Sequence, residues 1–513
     1  MKRITFFVST ILIAFFYVAC SSSVTTDNSK VYSEKELSSL LNKMEAQYED
    51  ICVMMGTANW NVYANEGDDD QDTPKQKYYE LFNNAELNSA IDYWSDRKNE
   101  LADKALVRRV EVWKDILTAA AVDFDADIFK LENELEALLS NPGESDTAYS
   151  TDELNEMVLT LLKKRNAKAK ELGFENYAVL CYDVNGLGWD WFNKTIELID
   201  QKTLEPYKQF LEKMKKEKSI TEVGYQDVVG YANAVNGMRY FQKLDPNKND
   251  SLMTATLDGI GMDYDKLPIR FVVENIPYGG NGLAIQVPND FRVVMKANMP
   301  LAVWMHELGH GLHAMFNQTE YPILKGYEWC LGSGCAAFSE GMAETSASLV
   351  RNDKWIEKYA DNTAEDIAKR DETFKNYGVV FLRQAMIGFM MEVEMYKDLS
   401  QDLNDLRESM FKKYLLLDKP LANRNMNLSG NIMYSAYPLY MQNYFFANMI
   451  SWQVHKALEK KFGEDYVFNK NVKDFLVDEF YGEGDLRPWR EKMKQATGSE
   501  LDIDGFLAYM GIN

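Results

Sequence analysis

Residues 305–316 read MHELGHGLHAMF and hold three of the four histidines in a chain of 513 residues. Pro300 stands where a helix can begin, because the N–H it lacks has no partner in a first turn anyway, and no further proline follows until Pro322. On a helix, residues four apart lie one above the other on the same face. His306 and His310 then present two ring nitrogens to one point, with Glu307 projecting beside it. This is the H-E-x-x-H device, in which the imidazoles hold a zinc ion and the glutamate serves as general base. With so few histidines in the chain, chance placement yields the pattern in roughly a few sequences per thousand. Gly309 and Gly311 each cost a helix interior about 1 kcal/mol, which points to another backbone approaching closely. His313, three residues past the second ligand, lies near the same face and is read as a supporting or packing residue.

On the N-terminal side, residues 267–300 read LPIRFVVENIPYGGNGLAIQVPNDFRVVMKANMP, with four prolines, clustered glycines and short β-branched runs. That composition predicts a small sheet of short strands. On the C-terminal side, Ala336 to Leu349 reads AAFSEGMAETSASL and places Glu340 and Glu344 four apart on a predicted helix. A catalytic zinc takes three protein ligands and leaves one position open. One of these carboxylates supplies the third ligand while the other hydrogen-bonds a ligand imidazole and fixes its tautomer.

Further out, helices dominate. An internal proline costs a helix about 3 kcal/mol, and the intervals Pro74 to Pro142 and Pro322 to Pro420 contain none. Leu37, Leu40, Leu41, Met44, Tyr48 and Ile51 keep the spacing of a buried helical stripe, and Ser33 with Glu36 reads as its capping box. The acidic stretch Asn65 to Pro74 reads as a solvated loop. Past about residue 30 no Pro/Gly/Ser-rich linker interrupts the chain, so residues 31–513 are expected to form one domain. The fold class is mainly α, with a small β-sheet next to the H-E-x-x-H helix. Tyr434, Tyr437, Tyr440 and Tyr444 recur at near-helical spacing, which suits buried packing and a functional face equally.

The N-terminus carries Lys2 and Arg3, an apolar run from Ile4 to Val18, and small residues leading into Cys20. This is a secretory signal, too short for the roughly 20 residues that span a bilayer. Its ending resembles a bacterial lipoprotein signal, with 1–19 as the signal peptide, Cys20 as the lipidated residue and 20–30 as a tether. The expected location is the bacterial cell envelope, on a lipid anchor. The formal charge is -23, and loss of Lys2 and Arg3 takes it to -25, a surface that repels nucleic acid and anionic lipid. Cys52, Cys181, Cys330 and Cys335 are too few for a disulfide framework, and a Cys330–Cys335 pair reads as free rather than structural. No obligate protein partner is inferred.

Together these residues resemble the zinc peptidases of the angiotensin-converting-enzyme family and, more distantly, the thimet oligopeptidase and oligoendopeptidase families. GTANWNVYAN (residues 56–65), RNAKAKELGFENYAVL (165–180), NDFRV (289–293) and YFFANMISWQVHKAL (444–458) look like segments of that family and occur in its order. The resemblance implies an elongated helical metallopeptidase with a deep central cleft and Zn2+ at its floor. It implies His306, His310 and Glu340 as metal ligands, Glu307 as general base, Glu344 as the supporting carboxylate, and Tyr444 as donor to the oxyanion. It implies that GLAIQV (residues 282–287) is an edge strand that pairs with an extended peptide. Gly282, Ala284, Tyr434 and Tyr440 become candidate substrate contacts. The expected activity is hydrolysis of short peptides, releasing C-terminal dipeptides. Alternatives are an endo-acting oligopeptidase and a catalytically silent peptide-binding lipoprotein. The chain departs from the family at Tyr434, where a histidine is usual, and at Ile432 and Met441, which align with the lysine and tyrosine that grip a substrate carboxylate. Asn443 aligns with a chloride-binding arginine, and thirty residues separate His310 from Glu340, longer than these families usually show.

Overall fold

The capping box forms at the start of the first helix, where the Ser33 N–H donates to Glu36 Oε2 at 2.9 Å and the Glu36 N–H to Ser33 Oγ at 3.3 Å. The helix runs Glu34–Ala64 and buries Leu37, Leu41, Met44, Tyr48 and Ile51. In this computed structural model, residues 31–64, 66–67, 70–140, 149–232, 242–276, 279–327 and 331–512 are described. The signal peptide, the tether, Cys20 and Cys330 lie outside the described residues. The first helix shares a core with helices Asp72–Phe82, Ala85–Ser95 and Lys104–Asp123, in which Tyr48, Tyr78 and Trp113 are buried. The end of the acidic stretch is not loop: a helix starts at Asp72 and takes Pro74 into its first turn, a position where proline loses no hydrogen bond.

The predicted sheet is present. Strands β1 (Ile269–Glu274), β2 (Gly280–Gln286) and β3 (Asp290–Lys296) lie in the order β1-β3-β2. β1 runs parallel to β3 and β2 antiparallel to it. Alternation along β3 sends Phe291, Val293 and Met295 into the main helical core, while Val294 joins Leu283 and Ile285 of β2 under Trp60 of the first helix. β2 is left as an edge strand.

Three helices follow that carry the candidate residues. The metal helix is Leu301–Met315, with Pro300 as its N-cap residue. The acidic helix is Ala336–Leu349 and buries all but a few of its residues, Glu340 and Glu344 included. The tyrosine helix is Met441–Phe462. The acidic helix lies between the other two, and glycine permits both contacts. A Cβ on Gly309 would stand 2.6 Å from Ala343 Cα, and one on Gly341 2.6 Å from Ile450 Cγ2, distances no side-chain carbon tolerates. The backbone approach read from Gly309 is therefore real; at Gly311 the neighbour is the Phe291 ring, 2.5 Å from such a Cβ.

The four tyrosines do not share one helix. Tyr434 lies in a single turn, Met433–Ala436, and the chain then breaks before the tyrosine helix begins. Leu439 adopts φ +54°, a left-handed conformation that costs an L-residue roughly 1–2 kcal/mol. The break is held from outside: Arg165 donates to Tyr434 O at 3.2 Å and to Ser435 O at 2.8 Å. Buried Glu392, from the long helix Ala364–Lys397, accepts the Leu439 N–H. Local spacing carries no trace of partners so far along the chain.

Candidate metal centre

His306, Glu307 and His310 come from successive turns of the metal helix, and Glu340 reaches them from the acidic helix. His306 Nε2 lies 3.2 Å and His310 Nε2 3.8 Å from the same oxygen, Glu340 Oε2. One ligand atom from each of the three residues falls within 4.8 Å of the other two. The imidazole rings stand nearly perpendicular, at 84°, with centroids 5.2 Å apart. Glu340 Oε2 is buried and has only these two ring nitrogens close to it, so when the imidazoles are neutral the carboxylate needs something positive beside it. Two imidazole nitrogens and a lone carboxylate oxygen are a donor set of the kind zinc accepts in catalytic sites, so the residues present fit the ion.

Each ligand is steered by a further group. His306 Nδ1 faces Glu344 Oε2 at 3.5 Å, an acceptor that keeps the proton on Nδ1 and turns Nε2 toward the metal position. Glu344 is in turn clamped by Arg351 through its other oxygen. His310 Nδ1 meets Ser339 Oγ at 3.1 Å. Tyr440 Oη donates to Glu340 Oε1 at 2.7 Å, leaving Oε2 as the oxygen aimed at the histidines. Burial opposes the charged form of His306, yet Glu340 and Glu344 beside it raise its pKa to about 10. Burial likewise opposes the Glu340 carboxylate, but His306, His310 and Tyr440 hold its pKa below the usual value. Two carboxylates facing one imidazole make this an anionic pocket suited to a cation.

Glu307 Oε2 accepts the Gly282 N–H of β2 at 3.0 Å. Burial raises its pKa, and the two neighbouring histidines work against that rise. Only glycine fits at 282, since a Cβ there would stand 2.6 Å from Glu307 O. Ala284 lies two residues on along the same edge strand. Tyr444 is 42 % exposed, its ring centroid 5.5 Å from that of Tyr440 at 66°. Tyr434 is buried. His313 is buried with its ring against Phe338 and Tyr481, at 5.7 and 5.8 Å, and burial lowers its pKa to about 3. The structure thus gathers His306, Glu307, His310, Glu340, Glu344, Tyr440 and Gly282 at one place, with Tyr444 next to Tyr440. Sequence reading passed over Ser339 and Arg351. Both had a signal: Ser339 precedes the third ligand, and Arg351 follows Glu344 by two helical turns.

No family model matches the chain, and no curated protein matches it either. Solved structures do. A carboxypeptidase of Pyrococcus furiosus superposes with a TM-score of 0.66 at 14% identity, covering 94% of this chain and 99% of its own. Metallocarboxypeptidase 1 of Trypanosoma cruzi gives a TM-score of 0.64 at 14% identity over 93% and 98%. A carboxypeptidase of Deinococcus radiodurans gives 0.65 at 13% identity over 93% and 99%. Almost the whole length of each is therefore matched, and the chain has the mainly helical fold of these carboxypeptidases.

Proposed function

We propose that the chain is a zinc-dependent peptidase that hydrolyses short peptides, releasing dipeptides from their C-terminal ends. The observation that carries this reading is the meeting of His306 Nε2 and His310 Nε2 at one buried oxygen of Glu340, with Glu307 alongside. The names of the fold relatives support peptide hydrolysis as the class of reaction. Bound zinc would polarise the scissile carbonyl and lower the pKa of water from about 15.7 towards 7. Glu307, held at Oε2 by the Gly282 N–H, takes the proton of the attacking water and delivers it to the leaving amine. Tyr444 is assigned the hydrogen bond to the carbonyl oxygen as negative charge builds on it.

The test is Glu307→Gln. It keeps the charge-free outline of the residue and removes the base, so zinc content should stay at one per chain while kcat falls by about 10²- to 10⁴-fold. Undiminished turnover in that variant refutes the assigned base. Masses of products from a peptide library, with and without chelator, give the mode of cleavage: loss of two terminal residues supports the dipeptidase, and loss of one matches what the fold relatives are named for.

Internal cleavage is a second reading with an observation in its favour. Ile432 and Met441 are apolar and 39 % and 40 % exposed, at the positions that align with a carboxylate grip in the resembled family. Amidating the substrate's C-terminus separates the two, since terminal cleavage should collapse and internal cleavage persist. A peptide that binds zinc-loaded protein and is never cut would instead make the chain a silent binding protein.

A further inference from the structure

Eleven large apolar or aromatic side chains are exposed among the described residues, and four of them, Ile432, Tyr437, Met441 and Tyr444, fall within residues 432–444. Scattered exposed apolar residues are ordinary, but a contiguous group marks a contact surface. This group is tied to the metal centre. Tyr437 packs its ring on Tyr440 at 6.4 Å and 68°, and Tyr440 packs on Tyr444 at 5.5 Å and 66°. The middle tyrosine of the three hydrogen-bonds the metal-ligand candidate Glu340 at 2.7 Å.

The ladder is rigidly supported. Arg165, 1% exposed, and Glu392, 2% exposed, grip the backbone at Tyr434, Ser435 and Leu439 from two other helices. Tyr437 and Tyr444, at the two ends of the ladder, are both open to solvent. Edge-to-face contacts join the three rings, an arrangement aromatic pairs prefer over flat sandwiches, and the two outer rings leave aromatic surface open to a guest.

We infer that Tyr437, Tyr440 and Tyr444, with exposed Ile432 and Met441 close to them in sequence, form a platform for an aromatic or large aliphatic side chain of the peptide, beside the bond to be cut. This rests on the peptidase reading and names its substrate class. No covalent step is involved: the platform orients the peptide, and the fixed Tyr440–Glu340 bond sets its distance from the metal ligands. Selection among substrates then follows from apolar contact, in a chain whose aligned carboxylate-gripping positions carry Ile432 and Met441.

The experiment compares peptides that differ only at one position near the cleaved bond, with Phe, Leu, Ala or Asp there, the position being scanned on both sides. Wild type should favour Phe over Ala by roughly tenfold or more in kcat/KM at one position, the lower end of what apolar pockets achieve. Tyr437→Ala should shrink that ratio toward one. Tyr509→Ala, which alters a tyrosine 50% exposed elsewhere, should leave it as it was. Equal rates for Phe and Ala at every position, or a preference that Tyr437→Ala does not move, overturn the platform. If no peptide is cut at all, the peptidase reading has failed, and the platform is tested by binding to zinc-loaded Glu307→Gln protein. There, tighter binding of the Phe peptide that is lost with Tyr437→Ala upholds it, and equal binding of Phe and Ala peptides overturns it.

Discussion

Tyr440 and Tyr444 are one helical turn apart in sequence and in ring contact, but the proposed mechanism gives their hydroxyls different tasks. Tyr440 spends its proton on Glu340 Oε1, so its removal acts on the ligand and not on the substrate. Tyr440→Phe is expected to weaken zinc about 10- to 100-fold, as loss of outer-shell partners does, measured by competition with a chromophoric chelator. Tyr444→Phe is expected to leave that affinity alone and lower kcat by about 10²- to 10³-fold with little change in KM, as for an oxyanion donor. Equal zinc loss in both variants would deny the division. At this scale much of the site was legible. The spacing of His306 and His310 needed only helix geometry; the same rule paired Glu340 with Glu344, while the choice of Glu340 as the ligand came from the family resemblance. The Tyr440–Glu340 bond was not legible, because the two residues are a hundred positions apart and no periodicity links them.

Elements were legible where a local chemical reason exists. The capping box at Ser33 and Glu36, the helix start at Pro300 and the short strands between residues 269 and 296 each follow from side chains acting on their own neighbourhood. The tyrosine run misled for the same reason: its spacing suits a helix, but Arg165 and Glu392, from other helices, hold the backbone at Leu439 in a left-handed turn. Gly309 shows what an element needs from its partner. Its missing Cβ lets the metal helix rest against Ala343 of the acidic helix, and that contact sets the distance from the histidines to Glu340. Gly309→Ala is therefore expected to destabilise the protein by about 1–3 kcal/mol, the usual cost of overpacking, and to weaken zinc binding at the same time. Urea unfolding of the metal-free protein and a zinc titration read the two effects separately; a stable variant with unaltered zinc affinity would show that the helices are free to part.

Across the whole molecule, buried titratable groups make stability depend on pH. His313 has a folded pKa near 3 against an ordinary value of 6.5, because burial disfavours the imidazolium. Between those values the unfolded chain binds a proton that the folded chain refuses. Stability contributed by the neutral ring is thus fully present above pH 6.5 and is lost as pH falls towards 3. Replacing His313 by Phe, which suits its Phe338 and Tyr481 neighbours, should remove this dependence. The variant's advantage over wild type should widen by roughly 1.4 kcal/mol per pH unit below 6.5, read from chemical denaturation at several pH values; parallel curves would mean the ring protonates in the fold. The bond between Gly282 and Glu307 has a consequence of another kind. An amide hydrogen serves one strong acceptor at a time, and Glu307 already holds this one. A strand laid along β2 would therefore find no donor at Gly282, and the carboxylate would keep its bearing while the guest is gripped elsewhere.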